Sequence, residues 1–310
     1  MKKLGVIGTG AMGQHHVRVY SEMENVELVG ISDVDKTRVK DLAKKYNTKP
    51  YADYKELLKQ DLDAVSVVVP TSMHKDVALD VIESGTDLLI EKPIADTLSN
   101  ADKIIKVAKG ANVKLVIGHI ERFNPAVIKL KEIVDKGLLG EIVSISARRV
   151  GPFNERIRDV GVIIDLGVHD IDVISYLYNR DVRDVFAIAG NGVRPFEDRA
   201  SILLRYGENC SGLIETNWLT PHKVRKLTLI GLGGMAYLDY IDKTVELHIE
   251  DRVEKIEVVE SEPLRNELEH FIDVIGNGHE SPSSGENGRY VLQVAMAAKK
   301  SYKMGNSVTL

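Results

Sequence analysis

The chain has 310 residues, 44% hydrophobic and 28% charged, a globular profile that at this length favours two domains. Lys plus Arg number 41 against 46 Asp plus Glu, for a net charge of −5, so no polyanion-binding surface and no nucleic-acid partner are expected. The one cysteine, Cys210, excludes an internal disulfide and a cysteine-built metal site and fits a reducing, cytoplasmic setting.

Met1-Lys2-Lys3-Leu4-Gly5-Val6-Ile7 reads as a first strand rather than a leader, because Gln14, His15, His16 and Arg18 interrupt any apolar run. No apolar stretch approaches the roughly 20 residues that cross a bilayer, so no membrane partner is expected. Up to about His119, short Val/Ile-rich runs alternate with amphipathic stretches, the pattern of βαβ units. Strands are expected at Lys3–Ile7, Glu27–Ser32, Ala64–Val69, Asp87–Ile90 and Lys114–Gly118. Helices are expected near Met12–Glu22, Thr37–Tyr46, Asp53–Lys59, Lys75–Ser84, Leu98–Lys109 and Pro125–Lys136. Longer alternating runs follow at Glu141–Arg149, Asp184–Ala189, Arg199–Tyr206, Cys210–Trp218, Arg225–Ile230, Met235–Asp239, Thr244–Ile249 and Glu254–Val259, the texture of an antiparallel sheet. A helix near Gly161–Leu177 interrupts them. Two more, near Leu264–Gly276 and Gly288–Met304, flank a stretch from Asn277 to Asn287 that reads as a surface loop. The expected organisation is an α/β Rossmann domain with a doubly wound parallel sheet over residues 1–121, then an α+β domain with a large, mostly antiparallel sheet over 122–310.

Gly8-Thr9-Gly10-Ala11-Met12-Gly13 directly follows the first strand and opens a helix. In that context Gly8 permits the tight turn, Gly10 admits a pyrophosphate, Gly13 allows close packing, and the helix N-terminus favours the anion. Asp33, twenty residues after Gly13 at the end of the second strand, can accept hydrogen bonds from an adenosine ribose and repels a 2′-phosphate, which favours NAD over NADP. Lys36 and Arg38 lie close enough to keep NADP open. His15 and His16 read as surface or packing residues.

Glu91-Lys92-Pro93 lies at the carboxyl end of a strand, where ligands sit in open α/β sheets. A Lys there stabilises an alkoxide forming on a sugar carbon, or exchanges the proton itself if its pKa is depressed. Asp165-Leu166-Gly167-Val168-His169 places a carboxylate and an imidazole at i and i+4 of a helix, where both address one face. Neutral His accepts a hydroxyl proton near pH 7. Each motif taken singly also fits a solvated turn lysine or an ordinary helix-face charge pair.

The glycine loop, Glu91-Lys92-Pro93 and Asp165-x-x-x-His169, in this order, resemble the glucose–fructose oxidoreductase, inositol dehydrogenase and rhizopine-catabolism family across essentially the whole chain. The resemblance implies a Rossmann domain followed by an open-faced sheet domain, chemistry in the cleft between them, a cis Lys92–Pro93 peptide, and Lys92, Asp165 and His169 as catalytic residues. It extends the NAD-binding set from Gly8, Gly10, Gly13 and Asp33 to Ala11, Met12, Pro70, Thr71, His74, Glu91 and Lys92. It also implies a homodimer or homotetramer packed through the sheet.

Gly118 to Pro125, Arg149 to Phe153 and Thr216 to Arg225 resemble more narrowly the UDP-N-acetylglucosamine 3-dehydrogenases, which form a 3-keto sugar nucleotide. The substrate-binding residues this implies are Lys92, His119, Arg122, Asn124, Arg149, Asp165, His169, Lys223 and Arg225. A UDP diphosphate needs cationic partners, and Arg149, Arg156, Arg158, Lys223 and Arg225 are candidates. A free-polyol dehydrogenase acting on a molecule such as inositol uses the same catalytic residues. A catalytically inert NAD or sugar sensor is the alternative from another class, and the presence of Lys92, Asp165 and His169 argues against it. No histidine pair at ligand spacing and no nucleophile motif support a metalloenzyme or a hydrolase.

Overall fold

A computed structural model of the chain describes residues 1–153, 160–192 and 195–310. The chain divides into two compact units: Met1–Ile120 with Leu264–Tyr290, and Glu121–Pro263 with Val291–Leu310. A single boundary after residue 121 therefore does not describe it, because the chain returns to its first unit near the end.

In chain order the first stretch contains β1 (Lys2–Ile7), α1 (Ala11–Ser21), β2 (Val26–Ser32), α2 (Lys36–Lys45), β3 (Lys49–Tyr51), α3 (Tyr54–Leu58), β4 (Ala64–Val67), α4 (His74–Glu83), β5 (Asp87–Glu91), α5 (Leu98–Ala111) and β6 (Leu115–Gly118). It continues with α6 (Pro125–Asp135), β7 (Ile142–Pro152), α7 (Val168–Tyr178), β8 (Asp184–Gly190), β9 (Arg199–Arg205), β10 (Ser211–Asn217) and β11 (Leu219–Gly231). The chain closes with β12 (Gly234–Asp239), β13 (Thr244–Ile249), β14 (Arg252–Ile256), α8 (Pro263–Asn277), α9 (Gly285–Met304) and β15 (Val308–Thr309).

The first unit is a Rossmann fold. Its six strands run in the order β3-β2-β1-β4-β5-β6, and all the pairings are parallel. The short strand β3, absent from the expected set, carries Pro50 and lies at the sheet edge, where a missing N–H costs no ladder bond. Local helix boundaries follow their side chains: Asp35 caps α2, Asp53 caps α3 and Thr97 caps α5 through their side-chain oxygens.

The return of α8 has a visible cause. Leu264, Leu268 and Phe271 form an apolar stripe at i, i+4 and i+7, and they join Leu4, Val17 and Tyr20 in one buried cluster. The segment expected as a surface loop is partly structural. Ser283 is fully buried, accepts a bond from Ile117 N at 2.8 Å and donates its hydroxyl to Ile117 O at 2.6 Å, which extends the β6 edge.

The second unit is built on a nine-stranded sheet in the order β14-β13-β12-β11-β7-β10-β9-β8-β15. Only the β10–β7 pair is parallel; the other pairings are antiparallel. Along β9 burial alternates residue by residue, with Ala200, Ile202 and Leu204 inside, which is how a sheet with one covered face reads. On the other face Phe186, Leu203 and Leu213 are exposed and lie side by side across β8, β9 and β10.

Candidate active site

The expected cofactor residues of the first unit gather at the carboxyl ends of its parallel strands. Gly8 follows β1, Asp33 follows β2, Pro70 and Thr71 follow β4, and Glu91 ends β5 with Lys92 next; buried His119, expected to meet substrate, follows β6. Two of the three glycines are sterically obligatory. A Cβ on Gly8, where φ is +94°, would lie 2.4 Å from Val68 O, and one on Gly13 would lie 2.0 Å from Gly8 O. Gly10 differs, since a Cβ there meets nothing within 4 Å. It precedes α1, whose first turn from Ala11 and Met12 carries no acidic residue. The loop is therefore closed against the sheet and open above Gly10, the shape and polarity that a pyrophosphate requires.

Asp33 is almost wholly buried. Its Oδ2 accepts from Thr9 N at 2.7 Å and Thr9 Oγ1 at 2.8 Å, and its Oδ1 accepts from Asp35 N at 2.9 Å and Arg38 Nη2 at 3.0 Å. Burial opposes the charge, but the Arg38 bond and the three other donors outweigh it and hold the carboxyl below its usual range. The Arg38 cation, the alternative basis for a 2′-phosphate site, is thus paired with the carboxylate that repels one. NAD is expected to bind roughly 10- to 100-fold more tightly than NADP, and Asp33→Asn to narrow that gap. Calorimetric titration with both dinucleotides checks it, and tighter NADP binding to the wild type would refute it.

Lys92 follows β5, and the Lys92–Pro93 peptide is cis. Glu91 accepts the Lys92 N–H on Oε2 at 3.2 Å, while its Oε1 lies 3.1 Å from Nε2 of the fully buried His16. Burial works against the Glu91 charge, yet the His16 bond and the Lys92 cation outweigh it and keep the carboxyl below its ordinary range. His16 is therefore a partner of the lysine turn as well as a packing residue. His74, expected to touch the cofactor, is buried with both ring nitrogens facing carbonyls, Nδ1 2.9 Å from Pro93 O and Nε2 2.9 Å from Val69 O, and a neutral ring donates to one of the two. No ring nitrogen remains for a direct polar contact with a dinucleotide. Burial pushes its imidazole below the usual histidine pKa, against the two carbonyls and Glu91, which favour the cation.

In the second unit, Asp165 lies in a π-helical turn, Ile163–Gly167, that runs directly into α7, and both Asp165 and His169 are half-buried. The Val168 N–H reaches back to Ile163 O, so the turn holds one residue more than the α-helix assumed from the i, i+4 spacing. A single π turn of this kind recurs at functional sites.

The cations expected to meet substrate have different situations. Arg149 is wholly buried. Its Nε and Nη2 donate to Asp170 Oδ2 and Oδ1 at 2.9 and 3.0 Å, its Nη1 donates to Glu121 Oε1 at 2.6 Å, and its guanidinium stacks 4.8 Å from the Tyr240 ring. Although burial opposes its charge, Asp170 and Glu121 hold the guanidinium well above its usual pKa. Arg122 is likewise buried and bidentate on Asp172, with its Nε at 2.9 Å and Nη2 at 2.6 Å. Asn124 caps α6 and donates to Tyr240 O at 3.2 Å. These three expected substrate contacts are occupied with the fold itself, the two arginines because a buried charge needs its own counter-charge and Asn124 because a buried amide needs its hydrogen bonds.

Arg225 is the exception. It lies opposite Arg149 in the β11–β7 register and is 36% exposed, and its nearest carboxylate oxygen, Glu121 Oε1 at 3.9 Å, already accepts from Arg149. Burial and repulsion from Arg149 push its guanidinium below the usual pKa. Lys223 is exposed two residues earlier, within the irregular stretch of β11 between Leu219 and Val224. Arg156 and Arg158 lie outside the described residues. Sequence reading missed Glu121, Asp170 and Tyr240. The signal for Asp170 was present: in Val168–Tyr178 the aspartates are interspersed with Val, Ile and Leu around the whole helix, so they had to be buried against cations.

Comparison with known proteins agrees with this layout. Residues 2–119 match the description "Oxidoreductase family, NAD-binding Rossmann fold", and residues 127–237 match the GFO/IDH/MocA C-terminal domain. The chain is 27% identical to UDP-N-acetylglucosamine 3-dehydrogenase of Acidithiobacillus ferrooxidans over 96% of each chain. A solved structure of that enzyme superposes with a TM-score of 0.91, covering 98% of both chains. Myo-inositol 2-dehydrogenase of Thermotoga maritima is 29% identical over 99% of this chain and 98% of its own, and rhizopine catabolism protein MocA of Rhizobium meliloti is 30% identical over 68% and 70%. With both domains matched in order and a glycine loop shaped for the dinucleotide, the chain belongs to the GFO/IDH/MocA family of oxidoreductases and its first unit binds NAD.

Proposed function

We propose that the protein is an NAD-dependent dehydrogenase of a sugar hydroxyl, and that its substrate is a nucleotide sugar oxidised at the 3-hydroxyl, UDP-N-acetylglucosamine. The observation that carries the nucleotide reading is Arg225. Among the described residues its guanidinium makes no hydrogen bond, and the carboxylate within ion-pair distance, Glu121, already accepts from Arg149, with Asp170 and Asp165 acting only from further away. A diphosphate supplies the missing negative charge.

Oxidation of a secondary alcohol removes one proton and, with the other hydrogen, two electrons from the same carbinol. Bound NAD supplies the two-electron acceptor. In this reading His169 takes the hydroxyl proton, Asp165 orients the imidazole, and the Lys92 ammonium stabilises the oxygen as its charge develops. Similarity to the Thermotoga myo-inositol 2-dehydrogenase supports a second reading, a free polyol as substrate with the same three residues. A homodimer or homotetramer is part of the proposal, supported by the exposed apolar row Phe186–Leu203–Leu213 on the uncovered sheet face.

The two substrate readings separate on UDP itself. Calorimetry with UDP is expected to show binding that Lys223→Ala and Arg225→Ala together weaken by roughly 10²-fold or more, each charge-assisted contact contributing about 1.5–3 kcal/mol, with NAD affinity unchanged. UDP binding that ignores both substitutions, or no UDP binding, favours the free polyol.

A further inference from the structure

We infer that His74 is a positioning residue, which fixes the backbone of the Lys92 turn through the Pro93 carbonyl. The inference rests on the reading of Lys92 as a catalytic residue. His74 opens α4 and is fully buried, and its imidazole spans two loops at the carboxyl edge of the parallel sheet. Nδ1 lies 2.9 Å from Pro93 O, immediately after Lys92, and Nε2 lies 2.9 Å from Val69 O, immediately before Pro70.

The turn is tied on its other side as well. Glu91 Oε2 accepts the Lys92 N–H at 3.2 Å, and Oε1 is held by His16 of α1 at 3.1 Å. Two buried histidines from different helices thus flank one lysine: His16 acts on the peptide before its Cα and His74 on the carbonyl of the residue after it. These contacts restrain the backbone on both sides of Lys92, so its side chain departs from a defined point. Burial keeps the imidazole neutral, with one N–H; carried on Nδ1 it is donated to Pro93 O, while Nε2 lies 2.9 Å from Val69 O without a proton to give it. A purely structural histidine requires only that its polar atoms be satisfied; a positioning one requires this particular carbonyl to be held.

Asparagine and glutamine separate those roles. The Asn amide nitrogen takes the place of Nδ1 and still reaches Pro93 O, whereas the Gln amide nitrogen takes the place of Nε2 and reaches only Val69 O. His74→Asn, His74→Gln and Lys92→Met are compared with the wild type in melting temperature, NAD affinity by calorimetry, and kcat and KM with UDP-N-acetylglucosamine and myo-inositol. A fourth readout needs neither cofactor nor substrate: the rate of trace acetylation of Lys92 by acetic anhydride relative to exposed Lys40, followed by mass spectrometry. Both His74 variants are expected to melt earlier by similar amounts. Only His74→Gln is expected to lower kcat, by roughly 10- to 10²-fold, and to change the relative Lys92 acetylation rate by about threefold or more, with His74→Asn close to wild type in both. Equal kcat and equal acetylation in the Asn and Gln variants overturn the positioning role. If Lys92→Met keeps full activity, it is the catalytic reading of Lys92 that fails, and the acetylation rates still decide whether His74 fixes the turn.

Discussion

Replacing Lys92 by Met is expected to slow NADH formation by roughly 10²–10⁴-fold, a span that covers loss of a group stabilising developing charge as well as of a proton-transfer group, with NAD affinity intact. The same range is expected for His169→Asn. Single-turnover rates across pH distinguish the two roles. If His169 is the base, its loss abolishes the rise in rate as pH increases through the titration of the base, and Lys92→Met keeps that rise at a lower plateau. If His169→Asn retains the wild-type profile and Lys92→Met does not, the base is Lys92. Near wild-type rates in both variants place the chemistry elsewhere.

Arg149→Met is expected to destabilise the fold by about 3–5 kcal/mol, because it leaves the Asp170 carboxylate buried without its bidentate partner. Arg149→Met combined with Asp170→Leu is expected to recover much of that loss, since no unpaired charge remains at position 170. Denaturant midpoints at constant m-value give both numbers. A loss under about 1 kcal/mol in the single variant would show that Arg149 does not carry the anchoring load and would return it to the candidates for substrate binding. Asp170 is adjacent to His169 on α7, so this ion pair anchors the residue next to the proposed base.

Features that depend on local chain chemistry were readable from sequence. The Rossmann order follows from alternating strand and helix signals, and Gly8, Gly10, Gly13 and Asp33 carry their roles in their spacing. What escaped depends on partners far along the chain. Strand β3 is three residues long with a proline at its centre, below the length at which alternation registers. The return of α8 required knowing that its Leu264–Leu268–Phe271 stripe matches the surface of α1, some 250 residues earlier in the chain. Arg122 and Arg149 looked like substrate contacts because sequence shows a cation but not whether a carboxylate is already paired with it. For His74 the position near the cofactor edge was visible in the sequence, but the two carbonyls against its ring nitrogens were not. Arg225 emerges as the informative cation only by contrast with Arg149 beside it.

The most direct measurement incubates the purified protein with NAD and, separately, UDP-N-acetylglucosamine, other UDP-sugars, N-acetylglucosamine and myo-inositol, following absorbance of NADH and identifying the carbonyl product. NADH formation is expected with UDP-N-acetylglucosamine, giving a keto group at carbon 3 of the sugar, with little or no turnover of the free sugar or the polyol. NADH formation from myo-inositol with none from any UDP-sugar would contradict the nucleotide-sugar assignment, and NADH formation from none of them would contradict the assigned reaction itself.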